Sequence, residues 1–415
     1  MIKDEWRFFA FSGDIVPGGP STWHILDWDQ RRLISVTMDE EQKEEDRAIE
    51  CLKKHVDSLE PDVYLIYVSK DGELISTSTD IRDDHTSCVY YPPLRDLQLP
   101  DGIQTVRRSE LEELDRLGPN VDLVLDLSSS QADPKKVVFK YYFMFQFLFG
   151  LWHEMNLWMR LPKHPNIVPF DKVVVDELEG RAVGFTTLFA PGGTLDENRS
   201  RVFKLQWLEQ LMDVVDDLNL KYGIVHQDIA PRNLLVDDET DTLMLFDFNY
   251  SARIGTQAYS EHRNDVKGVM FTIYEIITRD DRLRSVPYEQ QDLADIVGPS
   301  EWIKHPDVKL DRPVSEYRSS LRRWAEKRRT GPQITAYKDA PHSIDWPSLG
   351  EAPLRVMNVI EADGTPGFHH YRFWDAKRRS ERENGAVILS WERPPRSKLE
   401  AGVRLLANGE IMNRT

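Results

Sequence analysis

A chain of 415 residues with 53 Lys and Arg against 70 Asp and Glu carries a formal net charge of -17. That disfavours a general nucleic-acid-binding role, because phosphate backbones attract basic faces, and the length asks for two or three domains. A hydrophobic content of 40% with 11 Trp excludes wholesale disorder, and two cysteines, Cys51 and Cys88, make no disulfide framework.

In chain order, "RFFAF", "WHILDW" and "LISVTM" read as strands. "EEQKEEDRAIECLKKHVDSL" then sets Ile49, Leu52, Val56 and Leu59 at helical spacing behind an acidic start. "VYLIYVSKDGELISTST" is two β-rich runs around Asp71-Gly72, a hairpin signal. The prolines of "YYPPLRDLQLPDG" mark a linker near residues 92–102. Residues 1–100 are therefore expected to form a small α+β accessory unit.

The next unit opens with "VRRSELEELDRLGPNVDLVLDL", continues through the strand "KKVVFKYY", and reaches a helix over "LFGLWHEMNLWMRL" that Pro162 and Pro165 end. "KVVVDELEGRAVGFTTLF" reads as a strand pair. Past "APGGTLDENRS" the pattern turns helical, with Phe203, Trp207, Leu211, Val214, Val215 and Leu218 along one face. "DVKGVMFTIYEIIT" reads as a buried helix and "VSEYRSSLRRWAEKRR" as a basic amphipathic one. "TGPQITAYKDAPHSIDWPSLGEAP" reads as a Pro-rich surface stretch, and "VRLLANGEIM" as a hairpin about Asn408-Gly409. Without a signal-like start or 18 unbroken apolar residues, a soluble protein with no membrane partner is expected, cytoplasmic or otherwise intracellular.

The stretch "GIVHQDIAPRNLLVDDETDTLMLFDFNYS" carries the chemistry. Phosphoryl transfer from ATP needs a carboxylate at the acceptor hydroxyl, oxygen ligands for Mg²⁺ and a cation on the phosphates. Asp228 can accept the hydroxyl proton, and Asn233 and Asp247 can supply metal ligands. The "LLVDDETDTLMLF" between them has the shape of a tight hairpin that brings Asn233 and Asp247 together. His226 reads as a packed histidine bracing the loop, and the adjacent His369 and His370 make a poor metal pair because neighbours on a strand point apart.

This stretch resembles the catalytic and metal-binding loops of the protein-kinase-like superfamily, with "HQD" for His-Arg-Asp and "DFN" for Asp-Phe-Gly. "VVFK" is similar to the strand with the phosphate-binding lysine, which implies Lys140, with Val138 in the nucleotide pocket. "EMNLWMRLPKHPNIV" resembles the helix that follows, making Glu154 the partner of that lysine. "TLFAPGGTL" resembles the hinge whose backbone at Leu188 and Ala190 faces adenine, with Leu235 on the pocket floor. "DVKGVMFTIYEIIT" resembles the helix whose leading aspartate, Asp265, holds the catalytic loop. These elements run in order from about residue 105 to 280. "HQDIAPRNLLVD" and "ILSWERPP" further resemble fungal kinase-like proteins.

The resemblance implies an α+β, bilobal protein-kinase-like fold with an extra N-terminal α+β unit. A β-rich N-lobe would span residues 101–190, a mainly helical C-lobe 191–335 and an extension 336–415. It implies an ATP- and Mg²⁺-dependent phosphotransferase acting on a hydroxyl-bearing acceptor, protein or small molecule; the alternative is a pseudokinase that binds or scaffolds.

Departures from the pattern sharpen this. "LGPNVDLV" keeps only Gly118 of the phosphate-covering glycines, leaving Asn120 to take a left-handed turn. Gln227 replaces the arginine that pairs with a phosphorylated activation loop, so no such switch is expected. Arg232 takes the γ-phosphate contact, and Asn249 stands at the motif's glycine, where positive φ is tolerated. Asp247 and Asp265 are only 18 residues apart, too few for a full peptide platform. The flanking segments shape the pocket, cover the shortened segment or mediate self-association.

Overall fold

The computed structural model describes residues 2–128, 134–352, 354–361, 364–372, 377–400 and 402–412. It divides into two compact units, one of residues 1–151, 171–187 and 348–415, the other of residues 152–170 and 188–347. Mixed α and β structure of this kind is compatible with a kinase-like fold.

In the first unit, among the described residues, a five-stranded sheet follows chain order: Phe8–Ile15, Ser21–Asp27, Arg32–Met38, Leu65–Val68 and Leu74–Ser78. Arg32–Met38 and Leu65–Val68 pair in parallel, so a crossover is required. Helix Asp46–His55 supplies it and buries Ala48, Cys51 and Leu52 against Ile34, Val36 and Ile66. The periodic stripe read from sequence thus lies on the core, and the Asp71-Gly72 turn joins the last two strands.

The larger sheet of this unit has eight strands among the described residues. Their order is Ile411–Met412, Arg404–Leu406, Leu111–Gly118, Val121–Asp126, Lys135–Tyr141, Ala182–Leu188, Phe170–Val175 and Gln104–Arg107. The terminal hairpin about Asn408-Gly409 therefore adds its strand beside Leu111–Gly118. On Lys135–Tyr141 the pleat buries Val137, Phe139 and Tyr141, while Val138 and Lys140 share the opposite, half-buried face. At Gly184 a Cβ would meet the Lys140 carbonyl at 2.3 Å and the Phe139 ring at 2.9 Å, so only glycine lets the next strand lie this close.

Three arginines and three acids are buried together here. Arg116 reaches Asp29 at 2.7 Å and Glu113 at 2.8 Å. Arg393 reaches Glu113 and Asp122, each at 2.7 Å, and Arg31 also pairs with Asp122. Burial opposes charging Asp122, yet the guanidinium groups of Arg393 and Arg31 overcome it and hold its carboxyl below the usual range. Trp391 stacks on Tyr141 at 5.1 Å, and Arg31 lies over the same Tyr141 ring at 4.2 Å. Residues 29–31, the strand pair after Leu111 and the tail near 391–393 are fastened into one core.

In the second unit, helices Leu205–Asp216, Asp265–Thr278 and Val314–Thr330 pack on one another. Leu205–Asp216 buries Trp207, Leu208, Leu211, Val214 and Val215 and runs into a wide turn over Asp217–Lys221. Phe203, read from sequence as part of that helical face, lies instead in the two-residue strand Val202–Phe203 beside Lys309–Leu310. Its side chain is still buried, against Trp207 and Tyr317.

The Pro-rich stretch is not a loose surface segment in its whole length. The Tyr337 N–H donates to the Ile254 carbonyl at 2.9 Å and the His342 N–H to that of Lys221 at 2.9 Å. Trp346 Nε1 donates to His153 at 2.9 Å, and Trp152 Nε1 donates to the Pro347 carbonyl at 2.8 Å. Arg253 pairs with Asp345 and lies over the Trp346 ring. Indoles with one hydrogen-bonding edge and a wide apolar face fasten this strap across the unit.

Candidate active site

The site starts from a hairpin. Leu234–Asp237 and Thr242–Leu245 pair antiparallel, with Leu234 opposite Leu245, because apolar residues alternate on each side of the acidic turn. The ladder gains one more bond from the Phe246 N–H to the Asn233 carbonyl at 3.2 Å. Asn233 and Asp247 thereby flank the same open end of the hairpin.

Asp228 is 4% exposed and Asn233 2%. Arg232 Nη2 donates to both Asp228 oxygens, at 2.6 and 2.8 Å. Asn233 Nδ2 donates to the Asp228 carbonyl and to its Oδ2, both at 2.8 Å. The amide nitrogen of Asn233 is thus committed to Asp228, while its Oδ1 accepts no hydrogen bond among the described residues. Tyr288 donates its hydroxyl to Asp228 Oδ1 at 3.3 Å, a long and therefore weak bond.

The loop is held from beneath. Asp265, 1% exposed, accepts from the backbone N–H groups of His226 and Gln227 at 2.8 Å each and from Asn219 Nδ2 at 2.8 Å. Three donors replace the water that burial removed from this carboxylate. His226 is fully buried; its Nδ1 accepts the Asp228 N–H at 3.3 Å and its Nε2 donates to the Phe246 carbonyl at 3.0 Å. That pattern is the neutral imidazole, one nitrogen accepting and one donating.

Gln227 takes φ of 63° and uses its whole amide. Its Nε2 donates to the carbonyls of Tyr250 at 2.8 Å and Ala258 at 3.0 Å, and its Oε1 accepts the Ser260 N–H at 2.6 Å. A neutral side chain therefore ties both ends of the short segment between Phe248 and Asn264 to the loop.

Asp247 caps the short helical turn Phe248–Tyr250 with φ of 66° and ψ of 72°. The left-handed residue is Asp247 itself, whereas Asn249 lies inside the turn without positive φ. Asparagine at 249 would tolerate positive φ, and the backbone there does not use it. Asn120 does take it, with φ of 61° between Gly118 and Val121. Phe248 is buried against the Trp158 and His226 rings at 5.0 Å each, which anchors the residue after Asp247.

The remaining sequence candidates fall as follows. Lys140 and Val138 lie on Lys135–Tyr141 in the first unit, with Lys140 opposite Val121, the residue after Asn120. Glu154 is fully buried on helix Leu148–Arg160, in the part belonging to the second unit, so it is not a solvated helix residue. Leu188, Ala190 and Leu235 are half-buried in the second unit. Thr194, four residues after Ala190, bridges to Leu235, and the Leu195 N–H donates to the Leu234 carbonyl at 2.9 Å. Asp228, Arg232, Asn233 and Asp247 are brought together; Lys140 and Glu154 belong to different units.

Tyr288, 60 residues from Asp228, was not visible in the motif. Nor was Arg263, whose guanidinium lies over the Tyr250 ring at 4.6 Å and the Tyr288 ring at 4.3 Å. No local pattern marks either. Among the described residues no group of three His, Cys, Asp and Glu forms a metal site, and no helix is long and apolar enough to cross a membrane. A cation at this hairpin would have two protein oxygens, from Asn233 and Asp247. That hard and sparse donor set fits Mg²⁺, which keeps waters and phosphate oxygens as its other ligands.

No family model matches the chain. It is 32% identical over 120 residues to CBL-interacting serine/threonine-protein kinase 16 of Arabidopsis thaliana, covering 28% of this chain and 24% of that one. It is 33% identical over 100 residues to CBL-interacting protein kinase 11 of Oryza sativa subsp. japonica, covering 23% and 19%. It is 28% identical over 121 residues to the serine/threonine-protein kinase nekl-2 of Caenorhabditis elegans, covering 25% and 32%. The chain thus spans between a fifth and a third of the length of these relatives. These partial matches support a protein-kinase-like relationship.

Proposed function

We propose that the protein is an ATP- and Mg²⁺-dependent phosphotransferase that moves the γ-phosphoryl group to a hydroxyl acceptor. The observation that carries this is the Asp228–Asn233 pair at the mouth of the hairpin that ends in Asp247, held by Asp265 from below. Asp228 orients the acceptor hydroxyl and takes its proton, while Arg232, half-exposed and clamped to Asp228, faces the transferring phosphoryl group. Bound between Asn233 and Asp247, Mg²⁺ would neutralise charge developing on the phosphate oxygens. By the family resemblance, Lys140 and Glu154 are assigned to the non-transferred phosphates, and Val138, Leu188, Ala190 and Leu235 to the adenine.

In this reading residues 101–190 and 191–335 are the two lobes, and residues 1–100 and 336–415 are accessory. No activation-loop phosphorylation is required, because Gln227 already ties the short segment from both ends and the strap meets it at Ile254. The pseudokinase reading draws on one observation, Asn120 standing in a phosphate-loop turn that glycines usually fill.

Thermal melting with and without ATP and Mg²⁺, followed by ADP release across a panel of hydroxylated acceptors, tests the proposal. Stabilisation by the nucleotide together with turnover is expected. Asp228→Asn should lower kcat by roughly 10²–10⁴-fold while nucleotide stabilisation persists. Stabilisation without turnover would select the pseudokinase reading, and neither would sink both.

A further inference from the structure

The surroundings of Asp228 carry a feature that phosphate transfer alone does not use. Arg263 ends the turn Glu261–Arg263, just before the Asn264 cap of helix Asp265–Thr278. Its guanidinium lies between the rings of Tyr250 and Tyr288. Neighbouring arginines of this unit are spent on acids: Arg232 on Asp228, Arg284 on Glu275 at 2.7 Å, Arg253 on Asp345. Arg263, in a chain of net charge -17, meets no carboxylate within ion-pair distance among the described residues, and its side-chain N–H groups donate no hydrogen bond there. Stacking holds the plane of a guanidinium by its faces and leaves its edge donors for a ligand.

Tyr288 links this arginine to the reacting position. One face of its ring carries Arg263, and its hydroxyl sits on Asp228 Oδ1, where an acceptor hydroxyl must come. The loop that presents it is built to stay. Lys267 Nζ donates to the carbonyls of Tyr288 at 2.7 Å and Gln291 at 3.3 Å, and Gln291 Nε2 donates to those of Leu283 and Val286. Arg284 fastens the start of the loop to Glu275 and Thr272. The Tyr288 hydroxyl faces Arg232 as well as Asp228, and its weak 3.3 Å bond to Asp228 is one that an incoming hydroxyl can displace.

We infer that the acceptor carries an anionic group, carboxylate or phosphate, beside its reacting hydroxyl, and that Arg263 binds that group while Tyr288 yields Asp228 to the hydroxyl. This rests on the phosphotransferase reading above and adds the substrate class to it. A planar fork with free edges matches a two-oxygen anion. The overall negative charge of the chain repels such a molecule at long range, so the recognition has to be local.

The test uses the full chain with ATP and Mg²⁺ and acceptors in matched pairs. One arm sets glycerate and glycerol phosphate against glycerol; the other sets a serine peptide with glutamate flanks against its glutamine twin. The anionic member of at least one pair should have the higher kcat/KM, the arm in which it does so naming the source. In Arg263→Ala the anionic-to-neutral ratio of kcat/KM should fall at least tenfold through KM, with Arg263→Lys in between. Inorganic phosphate should compete with the acceptor in the wild type and at least tenfold more weakly in Arg263→Ala. Equal use of both members in both arms, or a ratio unmoved in a variant that ATP and Mg²⁺ still stabilise, overturns the inference and leaves the phosphotransferase standing. A wild-type chain that nucleotide does not stabilise overturns both.

Discussion

Two buried clusters of charge in this protein are built on opposite plans. In the first unit Arg31, Arg116 and Arg393 meet Asp29, Glu113 and Asp122, three cations against three carboxylates. In the second, Asp228 is bridged by Arg232 and Asn233, and Asp265 is satisfied by N–H donors rather than by a cation. Burying a charge is tolerable when partners neutralise it, which describes the first cluster. A carboxylate held by neutral N–H donors keeps its own negative charge, and Asn233 Oδ1 accepts no hydrogen bond among the described residues, which leaves this second set unbalanced. The balanced set joins distant parts of the chain, and the unbalanced set is where chemistry is to be sought.

Removing one cation from the balanced cluster is the most damaging way to probe the contrast. Arg393→Ala strands Asp122 and Glu113 without one of their partners and should destabilise the fold by about 3–5 kcal/mol, read from urea midpoints. Replacing Asp265 in the other cluster should be milder globally and heavier on activity. Asp265→Asn offers one acceptor oxygen and a donating amide nitrogen to two backbone donors, a loss of about 2–3 kcal/mol at the loop, with turnover falling more than melting temperature. If both variants lose stability and activity in equal proportion, the distinction between the clusters fails.

Proton titration sharpens the same comparison. Asp122 is held below the ordinary aspartate range, so its contribution is fully present above about pH 4 and is lost as pH falls through its folded-state value. Urea midpoints should therefore drop on acidification below that point, and Asp122→Asn should show a flatter acid limb. The smallest effect belongs to Gln227→Ala. It removes three neutral hydrogen bonds, costing about 1–2 kcal/mol, and should show as faster proteolysis between residues 248 and 264 with little change in global unfolding.

Legibility tracked sequence distance. The Asp71-Gly72 and Asn408-Gly409 turns and the hairpin between Asn233 and Asp247 were readable because turn residues and alternation act over a few positions. Helix Asp265–Thr278 was readable because its apolar residues, from Val266 through Val269, Met270 and Ile273 to Ile277, recur at helical spacing. Phe203 misled because a buried residue at helical spacing looks the same whether the helix has begun or not. The Pro-rich strap is mostly exposed, as its composition implied, and what stayed hidden were its anchors, Trp346 on His153 and Tyr337 on Ile254, which lie far away in sequence. At the candidate site the motif residues were legible and their wall was not. Arg263 and Tyr288 belong to no motif, and the 25 positions that separate them conceal that the guanidinium lies over the Tyr288 ring.

The strap also ties the inheritance of two distant stretches. Gly223, just ahead of the loop that carries Asp228, has φ of 70°, and a Cβ there would meet the Tyr337 carbonyl at 2.6 Å. No side chain can enter at 223 unless residues near 337 move aside, and that movement would break the Tyr337–Ile254 bond. Changes at the two places should therefore be accepted or rejected as a pair. In a randomised library, survivors that lose Gly223 should carry compensating changes between 333 and 338, over one hundred positions downstream.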